Sequence, residues 1–452
     1  MSATLSRTSH AFHCRRALLP DGWREDVRIE HSGGLITSVT ANAALHSDDI
    51  PIEIALPGMA NLHSHAFQRG MAGLAERRGP TGDSFWTWRE LMYRFVERLG
   101  PDELQAIAAM AYIEMLEAGF TRVAEFHYLH HRPDGGHYDD PAENCGRIAA
   151  AAEIAGIGLT LLPVFYAQGG FGAQPAGAPQ ERFLNNPDSY ARLIEGCGFP
   201  GVTLGIAPHS LRAVTLEQLH AILPLAAGGP VHIHIAEQQR EVLECVAWDG
   251  RTPVRLLLDE FPVGKQWCLV HATHLDDNER IALAANGAVA GLCPITEANL
   301  GDGLFPLPEF MADGGMIGVG SDSNVLIDLG EELRLLEYGQ RLTRKARNVA
   351  ALSEGRSTGR ALFDAALAGG AQACGVMTGL VAGAPADLVG LDPGHAALLA
   401  RDGDSLLDSL IFARGAVDEV WRGGVRLVAE GRHIQRDAVM PLFATALLRT
   451  LA

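Results

Sequence analysis

Apolar residues gather in short runs along most of the chain, and many of these runs stop at a residue able to do chemistry. Eight runs read as strands, at 54–62, 120–126, 157–165, 202–208, 230–235, 266–270, 288–293 and 316–320. Stretches of helical period lie between them. The clearest begins at Pro101-Asp102-Glu103, where a proline and two acids suit a first turn. It carries Leu104, Ile107, Ala108, Ala111 and Met115 on one face and stops at Gly119. Strands alternating with helices, with polar residues collected at the strand C-terminal ends, is the α/β pattern of a TIM-like (β/α)8 barrel and its catalytic face.

The flanks follow a different pattern. Short β-like pieces occur at 27–30 and 35–39 near one end and at 386–391 and 417–425 near the other. The expected organisation is a barrel catalytic domain over 56–375 and a small β-sandwich domain built discontinuously from 1–55 and 376–452. No repeat with a period of 20–50 residues and no low-complexity tract interrupts it.

The strand ends carry the candidate chemistry. The run 54–62 leads into His63-Ser64-His65, and in an extended chain residues i and i+2 share a side, so both imidazoles can reach one ion. A pair of surface histidines near a turn is the bland alternative for this pair alone. A second apolar strand ends in His232-Ile233-His234, with Glu237 three residues past the last histidine. His232 has the parity to compete as a ligand, and His234 is preferred because it lies nearer the strand end and pairs with Glu237. A carboxylate there can take a proton from a metal-activated water and deliver it to a leaving group. His271 and Asp322 close two further strands, whereas His274 falls in a turn or helix cap at Leu275-Asp276-Asp277. The cluster His127, His130, His131 and His137 reads as ordinary loop histidines, because no strand frames it.

Composition narrows the function classes. At 452 residues, with an apolar fraction of 47%, the chain can bury a sizeable core. A formal charge of -18 disfavours nucleic acid and anionic membrane surfaces as partners. Seven cysteines without a CxxC pair read as the reduced thiols of a cytoplasmic protein. Residues 1–20 show neither a signal peptide nor an anchor, and the most apolar stretch, 148–165, is interrupted by Glu153 and Gly156.

With HxH first, histidines after later strands and an aspartate last, the sequence resembles the amidohydrolase superfamily over nearly its whole length. His234 with Glu237 is similar to the branch that deaminates amidine-like carbon. The stretches NLHSHAFQRGMAG, SFWTWRE, APHSLRAV and VHIHIAEQ look most like the formimidoylglutamate deiminase family of histidine degradation. The resemblance implies a hydrolase that converts N-formimidoyl-L-glutamate to N-formyl-L-glutamate and ammonia. It further implies His63, His65, His234 and Asp322 as ligands of one zinc ion, with iron or manganese as alternatives. Glu237 would be the proton shuttle and His271 the group that orients the attacking hydroxide. Binuclear relatives bridge two metals with a lysine after the fourth strand; here Lys265 and Lys345 both lie far past that position, so a single metal is expected.

A dicarboxylate substrate needs local cations. Gln68, Arg89, Tyr128, His209 and Arg212 match positions that hold the glutamyl moiety in this family, with Trp86 and Trp88 expected as a loop wedge over the site. Pairing into a homodimer is a further implication, although no seam shows in the sequence. Two other readings stand beside this one: a nucleobase- or triazine-type aminohydrolase with the same metal chemistry, and a catalytically silent metal-binding barrel.

Overall fold

The structure is a computed structural model that describes residues 10–79 and 83–452, so the first nine positions of the expected small domain lie outside it. Both chain ends contribute to one sheet. The N-terminal part supplies β1 (His10–Leu19), β2 (Gly22–Ser32), β3 (Leu35–Thr40) and β4 (Ile50–Pro57). Alternate residues of β2, Val27, Ile29 and His31, are buried, as expected of a strand with one face on a core.

The chain then leaves this sheet. β5 (Met59–Ser64) starts a second, parallel system that continues with β6 (Phe120–His127), β7 (Gly158–Phe165), β8 (Thr203–Leu204) and β9 (Ala207–Pro208). β10 (Val231–Ile235), β11 (Trp267–His271), β12 (Val289–Leu292) and β13 (Met316–Val319) form a second parallel ladder. β5, β7, β10, β11 and β12 are buried along their whole length. Full burial fits parallel strands covered on both sides and explains why their sequences read as unbroken apolar runs.

Isolated parallel bridges Ile206↔Val231 and Ser64↔Asp322 connect the two ladders at their outer strands. Helices fill the connections, among them α1 (Phe85–Val96), α2 (Pro101–Glu117) and α3 (Glu143–Ala155). Gly119, just past α2, has φ 93°, the left-handed turn that suits a glycine after a helix.

Two of the eight expected strands are divided. The run 54–62 splits at Gly58: β4 pairs within the terminal sheet and β5 with β6. A Cβ on Gly58 would stand 2.3 Å from the Thr121 hydroxyl oxygen, so the crossing point between the two sheets requires glycine. The run 202–208 becomes β8 and β9, which pair with successive parts of β7.

β14 (Leu388–Leu391), β15 (Val417–Arg422), β16 (Val425–Ala429) and β17 (Arg432–His433) complete the terminal sheet. Its order is β17-β16-β15-β14-β4-β1-β2-β3. β4 pairs with β1 on one edge and with β14 on the other, joining N- and C-terminal strands in a single ladder. The isolated bridge Leu35↔Pro385 and the Phe12–Trp421 ring contact at 5.0 Å bring its two parts together beyond that order.

Candidate active site

Four parallel strands deliver the chemical groups to one place. His63 lies at the end of β5 and His65 just past it, His234 lies in β10, His271 ends β11, and Asp322 follows β13. Turning the last groups inward takes unusual backbone. His271 and Asp322 have φ of 69° and 43°, and Ala236, beside Glu237, has 50°. Left-handed angles cost a non-glycine residue on the order of 1–2 kcal/mol each. Hydrogen bonds hold them in place: Asp322 N–H donates to His63 O at 3.0 Å and His65 N–H to Asp322 O at 2.9 Å. Gly320 permits that approach, because a Cβ there would lie 2.7 Å from His63 O.

One ligand atom from each of His63, His65, His234 and Asp322 lies within 4.8 Å of the others, and all four residues are buried. His65 Nδ1 donates to Phe126 O at 2.9 Å and His234 Nδ1 to His209 O at 3.2 Å. Carbonyls only accept, so both rings carry hydrogen on Nδ1 and turn an Nε2 lone pair inward. The Nε2 atoms of His63 and His234 are 3.0 Å apart, and Asp322 Oδ1 stands 3.5 Å from His63 Nε2 and 3.3 Å from His65 Nε2. Neighbouring vertices of a zinc tetrahedron with bonds of roughly 2.1 Å are about 3.4 Å apart. Burial pushes the His63 imidazole down to about 3 and lowers His65 and His234, keeping them in the neutral, ligating form. Burial alone would raise Asp322, but its hydrogen bond with His63 and the surrounding imidazoles hold it below the usual carboxylate range. Three converging imidazole nitrogens and a carboxylate fit a divalent cation.

Glu237 and His271 flank this cage. Glu237 Oε1 stands 3.9 Å from His271 Nε2, which is 3.8 Å from Asp322 Oδ2. Burial lifts the Glu237 carboxyl to about 7 against the opposing pull of His271 and Arg212. Burial disfavours a charged His271, yet Glu237, Glu297 and Asp322 outweigh it and raise that imidazole to about 10. On the far side of the ring, Nδ1 lies 3.2 Å from Glu297 Oε1, which also accepts from Cys293 N–H at 2.9 Å.

Gln68, Arg89, Tyr128, His209 and Arg212 all line the cavity that also contains His65, His234, Glu237, His271 and Asp322. Gln68 Nε2 donates to the Tyr128 hydroxyl at 3.0 Å, and Gln68 Oε1 is buried without a partner. Arg212 is buried, with Nε 3.9 Å from Glu241 and no hydrogen bond. Arg89 stacks over Trp86 at 4.6 Å. The expected loop wedge is helical: Trp86, Trp88 and Arg89 belong to α1, whose N-cap Ser84 forms a capping box with Thr87. A larger cavity of about 470 Å³ lies between the terminal sheet and the helices, lined by Arg69, Glu114, Arg334 and Arg414 among others, and contains none of the metal-cage residues.

The remaining histidines point elsewhere. His232 Nε2 lies 2.8 Å from Ala373 O, turned away from the cage. His131 and His137 pack ring to ring at 4.5 Å in the loop. His127 differs from expectation, since it is the last residue of β6 and a strand does frame it. Sequence reasoning missed Glu297 and Asn324. The Asn324 amide donates to Ser64 Oγ, His65 O and Asp322 O at 3.1, 3.0 and 3.0 Å and accepts from Ser321 Oγ at 2.6 Å, tying the HxH turn to the aspartate turn. Its place two residues after Asp322 was the only signal available.

Comparison with known proteins agrees with this geometry. The amidohydrolase family model matches residues 54–427, and the N-terminal domain model of formimidoylglutamate deiminase matches residues 9–52. A formimidoylglutamate deiminase of Pseudomonas aeruginosa is 51% identical over 97% of this chain and 98% of its own. A 5-methylthioadenosine/S-adenosylhomocysteine deaminase of Pelotomaculum thermopropionicum is 27% identical over 70% of this chain and 69% of its own. Among solved structures, an amidohydrolase from Brucella melitensis superposes with TM-score 0.95 at 55% identity, covering 98% of this chain and 100% of that one. An adenosine deaminase from Xanthomonas campestris, solved with bound zinc, shares the fold at TM-score 0.77 and 22% identity, with 97% of each chain covered. The fold is thus TIM-barrel-like with an added sheet from the chain ends. A family match through 54–427 and identity of 51% along almost the whole length make this chain a member of the amidohydrolase family, on its formimidoylglutamate deiminase branch.

Proposed function

We propose that the protein hydrolyses N-formimidoyl-L-glutamate to N-formyl-L-glutamate and ammonia, a step of histidine degradation, with one catalytic zinc held by His63, His65, His234 and Asp322. The observation that carries this reading is the shared cavity. It sets two arginines, Arg89 and Arg212, beside Glu237 and the cage, so a substrate with carboxylates at one end and an amidine at the other has a counterpart for each. A divalent ion held by these four residues would act as a Lewis acid and lower the pKa of a water toward neutrality.

The chain's own groups do the rest. Glu237 accepts the proton of the attacking water and returns it to the nitrogen that departs as ammonia when the C–N bond breaks. His271, with Nδ1 held by Glu297, directs Nε2 at the same centre. The buried Arg212 Nε, free of hydrogen bonds, is ready to donate to a substrate carboxylate, and Gln68, Tyr128 and His209 complete that end. On the same reading the two parallel ladders are halves of one (β/α)8 barrel closed by the two isolated bridges. Seven free, buried cysteines support a cytoplasmic setting. Among the described residues no helix is long and apolar enough to cross a membrane.

Ammonia release tests the proposal. Formimidoylglutamate should be consumed with one ammonia per N-formylglutamate formed, and adenosine and aminotriazines should be turned over far more slowly. The reverse order would overturn it.

A further inference from the structure

Outside the active site, a second set of metal-ligand side chains comes together where β6 meets α3. His127 ends β6. Its neighbour Phe126 packs its ring against His234 at 4.4 Å, whereas His127 turns to the other side of the strand, toward α3. His130 lies in the loop that follows, and Cys145 lies in the first turn of α3. A ring nitrogen of each histidine and the Cys145 Sγ fall within 4.8 Å of one another, and all three residues are buried.

The hydrogen bonds fix which atoms are free. His127 Nε2 donates to Leu129 O at 3.1 Å and His130 Nε2 donates to Val164 O at 2.8 Å. Each carbonyl can only accept, so each Nε2 bears the hydrogen and each Nδ1 bears a lone pair. Both Nδ1 atoms are buried and unpartnered, as is the Oδ1 of Asn144, whose Nδ2 donates to the same Leu129 carbonyl at 2.6 Å. Three buried acceptors therefore stand unpaired at a cluster that also holds the Cys145 thiol, itself in contact with Cys197.

We propose that His127, His130 and Cys145 form a second metal site, structural in role, that holds one thiophilic cation of the zinc type. Two imidazole nitrogens and a sulfur are donors such an ion prefers, and imidazoles anchored through the opposite nitrogen to backbone carbonyls are the arrangement metal-binding histidines adopt. Binding exchanges the thiol proton for the metal: the S–H bond breaks, an S–metal bond forms, and the proton leaves to solvent. A hydrogen bond with Cys197 and burial hold the Cys145 thiol well above its ordinary range, so the thiolate forms only as the cation takes the proton's place. His130 also stands on the wall of a cavity of about 170 Å³, beside His131, Tyr138 and Asn185, which gives an ion a route inward.

The catalytic cage has no sulfur donor, and this makes the two sites separable by spectroscopy. The full-length protein produced in cobalt-supplemented medium should show a near-ultraviolet thiolate-to-cobalt charge-transfer band. It should hold about two metal equivalents per chain, one for each site. In Cys145→Ser the band should vanish and the content fall to about one equivalent, with ammonia release staying within about twofold of the parent. A wild-type protein with one equivalent and no band would overturn the proposal and leave a buried water to close the cluster. A band that survives in Cys145→Ser would overturn it as well. If that variant does not fold, the wild-type spectrum and metal count decide alone, independently of which substrate the active site takes.

Discussion

Glu237 must be ionised to accept a proton, yet burial raises its carboxyl to about 7. Below that value the acid form predominates and cannot serve as the base. The expected kcat/KM profile therefore has an acidic limb falling about tenfold per pH unit, and a divalent ion next to the carboxylate would place that limb between about pH 5 and 7 in the holoenzyme. A profile flat down to pH 5, or a limb that persists unchanged in Glu237→Gln, would contradict the assignment. At this scale the sequence exposed the residues that end strands, since a histidine or aspartate after an apolar run stands out. It hid Glu297 and Asn324. Neither belongs to a motif, and their importance comes from contacts with His271 and with the HxH turn that only the folded chain creates. His127 was misplaced for a related reason: an apolar run that ends in a cluster of histidines does not show where the strand stops.

At the scale of elements, the cage depends on β13 lying against β5. Gly320 is the closest point of that contact, with His63 N and O both within 2.8 Å of where a Cβ would be. Gly320→Ala must push the two backbones apart, and the expected result is weaker metal retention on dialysis against a chelator with the fold intact by circular dichroism. Retention equal to the parent would show that the strands can shift without opening the cage. The order and type of the parallel strands were legible because each is buried on both faces and so reads as an unbroken apolar run. Where a run changes partners was not legible. The stretch 54–62 is continuous in hydropathy, yet β4 pairs with β1 and β14 while β5 pairs with β6, a change set by tertiary packing around Gly58 and Thr121. The joining of both chain ends in one ladder follows from the same strand.

Across the whole molecule the charge is -18, so the two carboxylates of the substrate are held against the general field by a few local cations. If Arg212 grips a substrate carboxylate, Arg212→Met should cost on the order of 1.5–3 kcal/mol, or about 10- to 150-fold in kcat/KM, for formimidoylglutamate. A simple N-alkylformamidine without carboxylates should lose far less. Equal losses on both substrates would mean that the arginine supports the fold or the cage instead. One cage and one proton shuttle act together at this site, and Glu237→Gln separates them when catalytic-site metal and ammonia release are measured on the same preparation. The amide keeps the shape of the side chain but cannot accept a proton. Metal content should equal the parent's, and ammonia release from formimidoylglutamate should fall by roughly 100- to 10,000-fold. Near-parental release with the metal in place would contradict that role for Glu237.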